Sequence, residues 1–100
     1  MAGPDSIAPS AVVARAPEQV FTEMGEEIVL LGLRKGRYFG LDGVAADVWR
    51  HLNEPRRFDE VVDLVVTEYE VERAPAESDL TTFLRDLEAE GLIEIDATRE

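Results

Sequence analysis

The spacing of apolar residues changes period once along this chain, and that change does most to limit what it can fold into. Over residues 20–41 the apolar residues fall in short runs: Val20-Phe21-Thr22, Ile28-Val29-Leu30-Leu31-Gly32-Leu33 and Tyr38-Phe39-Gly40-Leu41. Turns at Gly25-Glu26 and Lys35-Gly36 divide them, and such runs predict a three-stranded antiparallel meander. The middle run is apolar at every position, as expected of a central strand covered on both faces. Beyond Leu41 the spacing becomes helical. Val44, Ala45, Val48, Trp49 and Leu52 write one amphipathic helix, N-capped by the Asp42 carboxylate and closed by Pro55. Phe58, Val61, Val62, Val65, Val66 and Tyr69 write a second. Leu80, Phe83, Leu84 and Leu87 write a third, with Ser78 or Asp79 as its cap and Gly91 at the left-handed position past its end. Leu92-Ile93-Glu94-Ile95 then resumes an extended pattern.

These elements make an α+β domain, a three-stranded antiparallel sheet followed by three helices, similar in layout to a winged helix-turn-helix. One hundred residues suit one domain, and a hydrophobic share of 45% suits a packed core. Residues 1–16, with Pro4 and Pro9, are read as a flexible N-terminal tail in which Ala11-Val12-Val13 could dock as a short strand; residues 17–96 are the domain. The N-terminus lacks the cationic and apolar regions of a secretory signal, and the longest apolar run is far short of the roughly 20 residues of a membrane span. A soluble, cytoplasmic protein without membrane association is expected.

Composition excludes several chemistries. There is no cysteine and one histidine, His51, so nucleophilic dyads and thiolate or multi-histidine metal sites cannot be assembled. The carboxylates are scattered along polar helix faces rather than paired for acid–base work. Gly32, Gly36, Gly40 and Gly43 form no phosphate-binding fingerprint. No catalytic residue, metal or cofactor is expected. The net charge of −12 opposes nucleic acid, and the reading-helix candidate over 79–90 carries Asp79, Asp86, Glu88 and Glu90 against Arg85 alone. The connection from Tyr69 to Ser78 also looks too long for a tight helix-turn-helix. A DNA-binding regulator is thus the weaker alternative.

If sheet order follows chain order, residues 37–41 form an edge strand, and such edges accept an incoming peptide as an additional strand. A tail folded over that edge is the competing arrangement. Arg34, Lys35 and Arg37 are the most concentrated basic feature: they either solubilise the hairpin tip or attract an acidic partner segment.

The run Tyr38-Phe39-Gly40-Leu41-Asp42-Gly43-Val44-Ala45-Ala46-Asp47-Val48-Trp49 resembles the PqqD-like family, the precursor-peptide recognition elements of ribosomally synthesised and post-translationally modified peptides (RiPPs). So do Phe58-Asp59-Glu60-Val61-Val62, Phe83-Leu84-Arg85-Asp86-Leu87 and Gly91-Leu92-Ile93. The resemblance implies a leader peptide clamped as an added antiparallel strand between the third strand and the third helix. It is greatest to the discrete leader-binding proteins of lasso-peptide biosynthesis, which implies a cysteine-protease-type leader peptidase as partner. A chaperone of quinone-cofactor synthesis is the neighbouring alternative. Carried onto this chain, the peptide-binding residues are Arg37, Tyr38, Phe39, Gly40 and Leu41 on the strand and Thr82, Phe83, Asp86, Leu87 and Glu90 on the helix. Arg34 and Lys35 are possible electrostatic contacts. Strand alternation puts Arg37, Phe39 and Leu41 on the helix-covered face and Tyr38 and Gly40 on the other. Phe83 can be read equally as groove or as core.

Overall fold

The computed structural model describes residues 6–96. Strands β2 (Gln19–Met24), β3 (Glu27–Gly32) and β4 (Arg37–Leu41) form the expected antiparallel meander in the order β2-β3-β4. Helices α1 (Gly43–His51), α2 (Phe58–Tyr69) and α3 (Arg73–Ala89) follow. The α+β architecture read from the sequence is therefore the one observed.

A second sheet was not foreseen. β1 (Val12–Arg15) pairs antiparallel with both β5 (Arg56–Arg57) and β6 (Ile93–Asp96). Most of the stretch read as a tail is thus part of the fold: Ile7, Ala11, Val13 and Ala16 are buried. The carbonyls of Pro9 and Ala11 accept the Asp59 and Phe58 amides at 3.0 and 2.8 Å, which satisfies N–H groups that the first turn of α2 leaves without an intrahelical partner. Residues 1–5 lie outside the described residues.

The core lies between the helices and the inner face of the meander. Trp49 is completely buried, its ring 5.6 Å edge-on from Phe21, and the Arg15 guanidinium lies 4.6 and 4.7 Å over these two rings. One aromatic–cation stack thereby joins β1, β2 and α1. The expectation that both faces of β3 are covered is corrected. Ile28 and Leu30 are fully buried, but Val29 and Leu31 are half-buried on an outer face shared with the exposed Val20, Met24 and Tyr38.

The start of α3 also differs from expectation. Its N-cap is Glu72, not Ser78 or Asp79, because Pro75 sits in the first turn, where no intrahelical N–H is required of it. The α2–α3 connection is consequently residues 70–72, with Glu70 left-handed at φ 52°, and is not longer than a tight helix-turn-helix turn. Asp42 does occupy the α1 N-cap, but its carboxylate makes no capping bond; its carbonyl accepts the Ala46 amide. At the far end of α3 the reading holds. Gly91 adopts φ 77°, its amide reaches the Glu88 carbonyl, and Leu92 reaches Leu87, a Schellman closure.

Candidate functional site

Among the described residues, β4 is hydrogen-bonded only to β3, in a register running from Gly32↔Arg37 to Ile28↔Leu41. Alternate N–H and C=O groups along it therefore point away from the sheet. Among the described residues the N-terminal strand does not cover this edge, since β1 is committed to β5 and β6. The strand's faces are as the alternation predicts. Leu41 is buried and Phe39 half-buried against the core, with the Arg37 guanidinium 5.9 Å from the Phe39 ring. Tyr38, 72% exposed, and Gly40 face outward; a Cβ at Gly40 would meet nothing within 4 Å, so another backbone could approach there.

α3 supplies an opposing wall. Asp79, Phe83, Asp86 and Glu90 recur at spacings that keep them on one face. Leu80, Leu84 and Leu87 are buried beneath them, and Thr82 is exposed. Of the residues assigned from the sequence, Leu41 and Leu87 are thus core residues that support the walls, and Phe83 is half-buried at the surface.

The β3–β4 turn ties the two walls together at one end. Lys35 Nζ donates to the Ala89 carbonyl at 3.1 Å, and Arg37 and Lys35 lie 3.6 and 3.9 Å from Glu90 Oε1. Arg34 packs over Gly91, where an added Cβ would sit 3.0 Å from its Cδ. These cations face the C-terminal, negative end of the α3 dipole. The basic cluster therefore staples the hairpin to the helix rather than merely solubilising its tip.

At the other end lies an apolar pocket of about 450 Å³. Val44, Ala45 and Val48 of α1 line it, with Val65 and Tyr69 of α2 and Val71 of the connection. Pro75, Ala76, Asp79, Leu80 and Phe83 complete it from α3, and Asp79 is its one acidic residue. The Tyr69 hydroxyl donates to Asp47 Oδ2, and Asp47 also accepts from Arg50 Nη1 at 2.9 Å. The bond to the Asp47 carboxylate, with desolvation, pushes the Tyr69 phenol up to about 12, so at neutral pH the ring is a fixed, neutral wall. Sequence reasoning missed this pocket, apart from Phe83; Leu80, which also lines it, was read as core. Its signal was present in the exposed apolar residues Val44 and Val71, 39% and 43% accessible, beside Pro75.

The profile of the family described as Coenzyme PQQ synthesis protein D (PqqD) matches residues 27–93, which spans β3, β4, all three helices and the start of β6. The chain belongs to the PqqD family. Among solved structures, this PqqD-family chain is similar to TbiB1 in complex with the TbiA(beta) leader peptide, at 41% identity and TM-score 0.76 over 81% of this chain and 94% of that one. It is similar to lasso peptide synthetase B1 complexed with its leader peptide, at 29% identity and TM-score 0.71 over 82% and 96%. It also shares the fold of the PqqD truncation of Methylobacterium extorquens PqqCD, a stand-alone RiPP recognition element, at 20% identity and TM-score 0.72 over 91% and 97%. No curated protein sequence matches it. Among the described residues, no group of acidic or histidine side chains is placed to hold a metal ion, and no helix is long and apolar enough to cross a membrane.

Proposed function

We propose that this chain binds the leader segment of a ribosomally synthesised precursor peptide, of lasso type, and presents it to a separate leader peptidase of the cysteine-protease kind. The observation that carries the reading is the open edge of β4 facing a helix wall whose Phe83 also lines an apolar pocket. The leader adds to β4 as an antiparallel strand, continuing the antiparallel order of β2, β3 and β4, and sets one large apolar side chain into the pocket. The leader-bound states of the 41%- and 29%-identical relatives support this assignment. The chain itself tethers: holding the precursor by its leader raises its effective concentration at a bound peptidase without any catalytic group in the tether. DNA binding is disfavoured by α3, which carries Glu77, Asp79, Asp86 and Glu88 against Arg73 and Arg85.

The test is a fluorescence-anisotropy titration with the labelled leader that the 41%-identical relative binds. Full burial of a leucine or aromatic side chain contributes about 1.5–3 kcal/mol. Alanine in place of the leader's dominant apolar residue is therefore expected to weaken binding roughly tenfold or more, at about 1.4 kcal/mol per decade. Unchanged affinity on that truncation would remove the pocket from the binding site.

A further inference from the structure

The two ends of the groove carry opposite charge. Asp79 at the pocket and Asp86 one helical stretch further on are exposed, and no ion pair or side-chain hydrogen bond engages either among the described residues. Glu90, at the hairpin end, is instead neutralised by Arg37 and Lys35. Lys35 and Arg37 keep more than half of their side-chain surface exposed around it, as does Arg34 beside them, whose one acidic neighbour among the described residues is Glu18 at 3.9 Å. The groove is thus anionic along its pocket half and cationic at the β3–β4 turn.

From this polarity we infer that the chain selects its peptide by the order of charges along it: basic residues before and around the apolar anchor, acidic residues after it. The inference rests on antiparallel addition to β4. β4 runs from Arg37, at the hairpin end, to Leu41, beside α1 and the pocket. An antiparallel strand enters at the pocket and leaves at the turn, so its N-terminal portion passes Asp79 and Asp86 and its C-terminal portion passes Arg37, Lys35 and Arg34. From Asp79 to Asp86 is about 10 Å of helix at 1.5 Å per residue. A strand rises about 3.4 Å per residue, so basic side chains at i and i+2 share one face about 7 Å apart, and their long flexible stems span the remainder to face both carboxylates. The chain's net charge of −12 attracts any cationic peptide at long range, but it does not discriminate between two peptides of equal charge and opposite order. The local arrangement does.

Two labelled peptides built on the leader of the 41%-identical relative test this directly. One carries two lysines in its first third and two glutamates in its last third; the other has them exchanged. Both have the same net charge. Exposed ion pairs are individually weak, and exchanging both ends turns attraction into repulsion at each, so the lysine-first peptide is expected to bind about fivefold more tightly in low salt. The preference should shrink as salt is raised. In the double variant Asp79→Asn, Asp86→Asn, which removes no interaction within the fold, the ratio should fall to about twofold or less. Tight binding of both peptides with equal affinity, or the reverse preference, overturns the inference and leaves the peptide-binding site standing. Binding of neither, with the unaltered leader also inert, overturns the proposed function and the inference with it.

Discussion

Phe83 and Leu84 are neighbours on α3 with different surroundings, and the distinction is measurable. Leu84 is completely buried, so Leu84→Ala removes core packing and should cost about 2–5 kcal/mol of stability in denaturant unfolding. Phe83 is half-buried and lines the pocket. Phe83→Ala should lower stability less than Leu84→Ala while weakening leader binding by roughly tenfold, the scale of one buried apolar contact. If both variants lost binding only in proportion to unfolding, Phe83 would be a core residue and nothing more. The sequence left these roles open for a physical reason: both side chains belong to one apolar stripe, and only the three-dimensional position of Val71, Pro75 and α1 makes a hollow beside Phe83. The faces of β4 were legible because strand alternation is local; the pocket was not, because four separate elements build it.

At the scale of elements, the reading succeeded where the determinant is short-range. The meander follows from its glycine turns, and the end of α3 follows from Gly91. It failed where a signal has two meanings or a distant partner. Pro75 can break a helix or sit in its first turn, and the structure has the second, which lengthens α3 and brings Asp79 to the pocket. Ala11-Val12-Val13 offered a short strand, but β1 becomes one only because Arg56, Arg57 and residues 93–96 are brought beside it, and those partners are not written in the tail itself. Gly91 offers the sharpest test of an element. At φ 77° a side chain costs about 1–2 kcal/mol. The added Cβ would also press on Arg34, which stands over it. Gly91→Ala should therefore lower the thermal midpoint and loosen the hairpin from α3, read as faster amide exchange in residues 33–37. Unchanged stability would show that the Schellman closure is dispensable.

For the whole molecule, the fold divides its labour between two sheets. The β5-β1-β6 sheet closes the core and joins the N-terminal segment to the end of the chain, while the meander leaves β4 open beside α3. Two other features of the meander compete for a peptide, the β2 edge and the half-exposed outer face around Val29 and Leu31, so where the peptide binds matters as much as that it binds. Amide hydrogen exchange, resolved by residue with and without a saturating leader peptide, decides it. Strand addition gives outward-pointing amides of β4 new hydrogen bonds, which slows their exchange. The account requires protection at alternate residues among Arg37–Leu41, with no comparable change along Gln19–Met24. Protection of β2 instead, or binding with no change in β4, would contradict it.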